Sequence, residues 1–282
     1  MQVSAEQPWI NSRFTLHDSD IEIRSADGFV FQLHRILLET ATGAFPGSEI
    51  DTRGEIVELT EPANILGILF AFLYPKKQSD LAKEDFSVIM AVAEAAEKYE
   101  MFSAMTLCSM RLTKFLPQHA PEILAHAVKH HYPSLIHATV QCFARSPFIP
   151  VMEKLPLSLV VPFARYQNAW RSTFGEVLDK IKNLSDSERF TTPLPCNTYY
   201  NNSGPRAVCR TCRCSLFTIV LDLEAIDSLE LLNDALLSPR QKYPRFICCE
   251  DGPKISDCTH LNYFCGVLLE KIRQIPSFDT FL

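Results

Sequence analysis

Between Asp20 and Phe45 the chain changes its period once, and that change limits what it can fold into. In Ile21-Glu22-Ile23-Arg24-Ser25 the isoleucines and Ser25 fall on one side, Glu22 and Arg24 on the other, which is the two-residue period of a half-buried strand. Ala26-Asp27-Gly28 reads as a tight turn, since Asp-Gly supplies the positive-φ backbone a hairpin needs. Phe29, Phe31 and Leu33 resume the alternation as a return strand. At His34 the period becomes helical: Ile36, Leu37 and Leu38 begin a short helix, and Gly43 and Pro46 end the regular pattern. One hairpin therefore feeds one helix, with Phe45 as a later apolar anchor, the beginning of an α+β fold.

The pattern continues downstream. Phe14 and Leu16 suit a short strand before the hairpin, and Glu55–Leu59 alternates as another. Pro62 stands near a helix start, after which Ile65, Leu66, Leu69, Phe70 and Leu73 recur at helical spacing until Tyr74-Pro75. Asp85 to Tyr99 is the clearest helix: Phe86, Ile89, Met90, Ala93 and Ala96 line one face, and Glu94, Glu97 and Lys98 keep much of the other wet. Ser103 suits the cap of the next helix, which carries Met105, Cys108, Leu112 and Phe115.

Two stretches resemble the BTB/POZ family. Asp20, Phe31, Leu33, His34, Arg35, Ile36 and Leu38, with Phe45 beyond them, are similar to its entry: an Asp before the first strand, a hairpin ending in a large apolar residue, then apolar-His-basic-apolar. Where the family usually has a Ser ahead of the aromatic, this chain has Ala41-Thr42-Gly43-Ala44. Glu94-Ala95-Ala96-Glu97-Lys98-Tyr99-Glu100-Met101 resembles the family's A-x-K-Y-x-M/L helix end. The resemblance spans residues 12–116, with Asp20, Phe31, Leu33, His34, Arg35, Leu38 and Tyr99 as fold-signature residues. Taken whole, the chain resembles the expanded BTB families of fungi. That resemblance implies a short β-sheet with flanking helix hairpins, followed by a mainly helical extension. It also implies a non-enzymatic protein–protein interaction module, either a substrate adaptor for a cullin-type ubiquitin ligase or a self-associating scaffold. The implied partner is a cullin or another BTB chain.

Pro117 and Pro121 mark the end of that domain, and a helical extension is expected over 117–184. Glu122–Lys129 and Leu135–Phe143 read as helices joined at Tyr132-Pro133-Ser134, with Ser134 as a cap. Pro147, Pro150, Pro156 and Pro162 then punctuate the chain. Phe163–Ile181 is a longer helix with Tyr166, Trp170, Phe174, Val177 and Ile181 on one stripe. Residues 185–208, rich in Ser, Asp, Thr, Pro and Asn, read as a linker or mobile loop. In the Cys-rich region, 209–282, an apolar helix is expected over Leu216–Leu237 and an amphipathic one over Tyr263–Ile275.

Charge and cysteine usage narrow the chemistry. A net charge of -6 with no basic run argues against nucleic-acid binding. No apolar run is long enough to span a bilayer, and Met1–Ile10 lacks the basic and apolar regions of a secretory signal. A soluble intracellular protein, cytoplasmic or nuclear, is expected. Of ten cysteines, Cys108 and Cys142 lie in helical patterns as buried small hydrophobes, and the other eight fall between Cys196 and Cys265. In a reducing compartment that favours metal over disulfides. Free thiols in a small packed tail are the main expectation. The other is a structural zinc ion, for which Cys209-x2-Cys212 supplies two thiolates, with Cys248 and Cys258 completing the candidate set and Cys214, Cys249, His260 and Cys265 as further candidates. The alternative function is then a zinc-stabilised regulatory protein whose Cys-rich tail is the functional reader. His126 and His130 share a helix face but lack the carboxylate of H-E-x-x-H, and are expected as surface or helix-end residues. His34 is expected to pack and hydrogen-bond at the core edge. No nucleophile elbow, Walker loop or Rossmann pattern occurs, so no catalytic or cofactor-binding residue is expected.

Overall fold

The computed structural model describes residues 18–45, 56–74, 81–183, 210–226, 229–243 and 259–282. The strand expected at Phe14 and Leu16 and the linker at 185–208 lie outside them. A small three-stranded sheet and a larger set of helices make the chain α+β. It divides into two compact units, Met1–His119 with His126–Leu135, and Ala120–Ala125 with Ile136–Leu282.

In the first unit, β1 (Ile21–Arg24) pairs antiparallel with β2 (Val30–Leu33), Ile23 facing Phe31, and β3 (Val57–Glu58) joins β1 in parallel, giving the order β2-β1-β3. The alternation read from sequence is the burial observed: Ile23, Ser25, Phe31 and Leu33 are buried, Glu22 is exposed. Gly28 supplies the positive φ of the turn, at +86°. Asp27 has a different task. Its Oδ1 accepts from Ser25 Oγ at 2.5 Å and from the Ala63 backbone N–H at 2.9 Å. The turn thereby satisfies an orphan donor at the start of α2 (Ala63–Phe70). Asp20 serves α1 (Arg35–Ala41) in the same way, its Oδ1 accepting from the Arg35 N–H at 2.7 Å. The N-cap residue, His34, makes no side-chain cap bond. Instead its ring lies 3.1 Å from the Tyr74 hydroxyl and 3.2 Å from Asp18, at the core edge as expected.

Helix α2 is buried almost all round and tightens into a 3-10 turn at Ala71–Leu73. The Phe70 ring meets Phe31 edge-on, centroids 5.2 Å apart. Burying side chains of this kind contributes about 1.5–3 kcal/mol each. Helices α3 (Phe86–Lys98) and α4 (Phe102–Leu112) pack on each other, with Ile89, Val92, Ala96, Ala104, Cys108 and Leu112 inside. Ser103 is not a cap: α4 begins at Phe102, with Met101 as N-cap. The wet face of α3 is also narrower than the sequence suggests. Glu94 and Glu97 are half-buried, because each has partners within His126–Tyr132.

Helix α5 (Ala120–Lys129) contributes its first six residues to the second unit and its last turn to the first. Helix α6 (Pro133–Phe143) starts at Pro133, so Ser134 lies inside its first turn rather than capping it. Pro at a first helical position costs no hydrogen bond and presets φ, which outcompetes a serine cap one residue later. After α7 (Phe148–Met152), α8 (Leu157–Lys182) runs 26 residues, beginning six before the expected Phe163 and carrying Pro162 inside it. One lost backbone bond is outweighed by the buried stripe of Leu159, Phe163, Tyr166, Trp170, Phe174, Val177 and Ile181. The helix expected over Leu216–Leu237 is two: α9 (Arg210–Glu224) and α10 (Leu229–Leu237). Arg145 shows why α9 stops, donating to the Leu223 carbonyl at 2.8 Å and to that of Glu224 while lying 4.6 Å over the Phe174 ring. Short α11 (Pro239–Lys242) and amphipathic α12 (Thr259–Arg273) complete the helices, and α12 packs against α8 and α10. Among the described residues, no helix is long and apolar enough to cross a membrane.

Candidate functional site

The most chemically loaded place in the first unit lies where α3 meets the last turn of α5. Local backbone rules build it. Helix α5 ends with His130 as C-cap, His131 at φ +57°, and Tyr132 donating its N–H to the Ala127 carbonyl at 2.8 Å, a Schellman closure made without glycine. That closure turns the chain back, and the Tyr132 hydroxyl donates to Glu97 on α3. His126 and His130, four apart, share the face that meets Glu94, one turn before Glu97.

The His126 ring places Nδ1 2.7 Å from Glu94 Oε1, and His130 Nε2 lies 3.2 Å from Oε2. Lys129 Nζ reaches the same Oε2 at 2.6 Å. On its far side His130 Nδ1 stands 3.4 Å from Glu97 Oε2. One ligand-type atom each from Glu94, His126 and His130 falls within 4.8 Å of the others. Among the described residues this is the only group of three or more potential metal ligands.

Burial alone would raise the Glu94 carboxyl. Hydrogen bonds from Lys129, His126 and His130 outweigh it and hold the group at about 2. Burial pushes His126 below the ordinary histidine value despite the adjacent carboxylate, as befits a side chain only 3% exposed. The 2.7 Å contact is therefore a hydrogen bond from a neutral imidazole rather than an ion pair. Burial and Glu97 raise the Tyr132 phenol, and the same two causes lift the Cys108 thiol to about 12, an inert buried thiol.

A second polar knot lies about one turn further on, where α3 ends at Lys98 and Tyr99. Glu61 accepts from Lys98 Nζ at 2.8 Å and from the Tyr99 hydroxyl at 2.5 Å. Burial raises its carboxyl, but these two donors outweigh that and lower it overall. Tyr99 is pushed up to about 12 by burial and Glu61.

Of the fold-signature residues, Phe31, Leu33, Leu38 and Tyr99 are buried, Asp20 and His34 bond as described, and Arg35 opens α1. Of the cysteines singled out for zinc, Cys209, Cys248 and Cys258 lie outside the described residues, as does the side chain of Cys212 on α9. Cys214 is exposed on α9, and Cys265 is buried on α12, its thiol raised to about 12 by burial. Cys142 is half-buried rather than buried, its thiol donating to the Ala138 carbonyl. The histidine pair does lie at a helix end, yet His126 is a core residue and not a surface one. The carboxylate that the sequence pattern lacks comes from Glu94, 32 residues upstream on another helix. In the second unit, a cavity of about 720 Å³ is lined by His137, Tyr166, Trp170, Asp234 and Arg273 among others. No protein-family model matches this chain, and no curated protein matches it.

Proposed function

We propose that the chain is a non-enzymatic protein–protein interaction module of the BTB/POZ kind, acting as a substrate adaptor for a cullin-type ubiquitin ligase or as a self-associating scaffold. One observation carries the reading. The two separated stretches that resemble the family meet in one unit: Phe45 stacks on Tyr99 with centroids 5.1 Å apart, and the Gly43 N–H donates to the Glu100 carbonyl at 3.2 Å. Helix α4 adds a surface suited to a partner. Its inward side holds Ala104, Cys108 and Leu112, while Phe102, Thr106 and Met110 line the outward side. Phe102 and Met110 are each 64% exposed, and large apolar side chains aligned on one exposed face are typical anchors of an interface.

The test is direct. Purified chain is examined by light scattering after size exclusion and by pull-down against a purified cullin. A dimer or a cullin complex is expected, weakened by Phe102→Asp or Met110→Asp with helical content unchanged. A monomer that retains no cullin overturns the reading.

A further inference from the structure

Two imidazole nitrogens and one carboxylate oxygen form the ligand set that Zn2+ takes in sites whose fourth position is left to water. The end of α5 presents that set across from α3, independently of any partner-binding role. We propose that Glu94, His126 and His130 bind one divalent transition-metal ion of the zinc class, with Glu97 positioning the His130 ring from behind.

The separations suit such an ion. Metal–ligand bonds of about 2.0–2.2 Å in a tetrahedral shell put ligand atoms roughly 3.3 Å apart. His130 Nε2 is 3.2 Å from Glu94 Oε2, and His126 Nδ1 is 2.7 Å from Glu94 Oε1. One ligand atom from each of the three residues lies within 4.8 Å of the others, so side-chain rotation of about 1–1.5 Å gathers them on one ion. Spacing i, i+4 on α5 sets both rings on one side, and the Schellman turn fixes where that helix ends.

A further shell of groups stands behind the ligands. Glu97 Oε2 lies 3.4 Å from His130 Nδ1. In the metal-free chain the His130 ring proton sits on Nε2 and is donated to Glu94. On binding it moves to Nδ1, where Glu97 accepts it and the Nε2 lone pair is left for the ion. Tyr132 donates to the same Glu97, holding its carboxylate in turn. A carboxylate behind a liganding histidine is the usual means of fixing ring orientation and tautomer. His126 is buried with Nδ1 turned to Glu94 at 2.7 Å, so the ring is already aimed at the site. In the metal-free chain its Nδ1–H donates to Glu94. On binding, the proton resides on Nε2 instead, and Nδ1 donates its lone pair with no net proton released.

Lys129 is the competitor. Its ammonium takes one oxygen of Glu94 at 2.6 Å and neutralises the carboxylate without an ion. Its side chain is 63% exposed, so it leaves for solvent at small cost when a divalent cation arrives. Removing Lys129 should therefore favour metal, whereas removing any true ligand should oppose it.

The experiment uses the full chain, stripped with chelator and titrated with ZnCl2 by calorimetry, and with Co2+ by visible absorption. One equivalent should bind, and Co2+ should develop the intense bands of a four-coordinate site. Glu94→Gln and His130→Gln should each weaken Zn2+ at least about tenfold, and Glu97→Gln about tenfold, in the range expected for groups behind a ligand. Lys129→Met should bind at least as tightly as the wild type, and the double variant Cys209→Ser/Cys212→Ser should keep its equivalent. His126 is a core residue whose loss endangers folding, so His130→Gln and Glu94→Gln, checked by circular dichroism, carry the decision. No bound Zn2+ at micromolar concentration overturns the proposal. So does a stoichiometry unaffected by Glu94→Gln and His130→Gln but abolished by the double cysteine variant.

Discussion

Two polar knots in the C-terminal half of α3 are built from nearly the same parts and differ in what they can do. In one, Glu61 takes a lysine, a tyrosine and a threonine; in the other, Glu94 takes a lysine and two histidines. Both carboxylates are drawn down by donors that outweigh burial. Around Glu61, however, the partners are an ammonium with no lone pair and two neutral hydroxyls, Thr60 and a Tyr99 phenol raised to about 12, with no imidazole among them. Around Glu94 the imidazoles offer nitrogen lone pairs. The same ion-pair physics thus yields a joint in one place and a ligand cage in the other.

Substitutions in the two knots should separate these roles. Tyr99→Ala removes the ring that stacks on Phe45 together with the hydroxyl on Glu61, and should cost about 3 kcal/mol in urea denaturation while leaving zinc affinity unchanged. A loss below about 1 kcal/mol would mean that the two family-like stretches are not joined there. Glu61→Ala comes next, at about 2 kcal/mol, because it strands the half-buried Tyr99 hydroxyl and frees Lys98.

Acid should distinguish the two knots by where stability is lost. His126 has a folded value below its ordinary 6.5, so an unfolded chain takes up a proton that the folded one refuses. Stability is then fully present above pH 6.5 and falls as pH drops below it. Glu94 and Glu61 are both lowered from 4.5, so their contributions are present above that value and disappear as pH falls below it, Glu94's extending down to about pH 2. Urea midpoints measured across pH should show both losses in the wild type. Glu61→Gln should keep the loss beginning near 6.5, and Glu94→Gln should diminish the loss below 4.5. A profile flat from about pH 7 to 5 would contradict a neutral, buried His126. The smallest effect belongs to Lys129→Met, under about 1 kcal/mol for so exposed a pair. A larger loss would make Lys129 a structural member of the cluster rather than a displaceable one.

The hairpin and helices were legible because each rests on neighbours within a few residues. Ile23, Phe31 and Leu33 alternate inward as read, and Tyr166, Trp170, Phe174, Val177 and Ile181 form the buried stripe of α8. Element ends were read less well. Pro133 displaced Ser134 at the start of α6, Pro162 was absorbed into α8, and Arg145 takes the last carbonyls of α9 from 78 and 79 residues away. The candidate site was half legible: the spacing of His126 and His130 is in the sequence, and nothing local to Glu94 distinguishes it from a solvated helix carboxylate.

By itself, then, the sequence determined periodicity: a strand pair turning at Gly28, helices with their apolar faces, and a polar face on α3. Those arise from backbone sterics and from hydrophobic burial repeating at 2.0 or 3.6 residues, which depend only on near neighbours. The tertiary structure alone decided which polar groups share a space. Asp27 reaches Ala63, Gly43 reaches Glu100, and Glu94 meets His126 and His130, each across more than thirty residues. Side-chain chemistry at that range is set by packing, which brings groups within hydrogen-bond reach or leaves them in water, and no spacing rule along the chain encodes the difference.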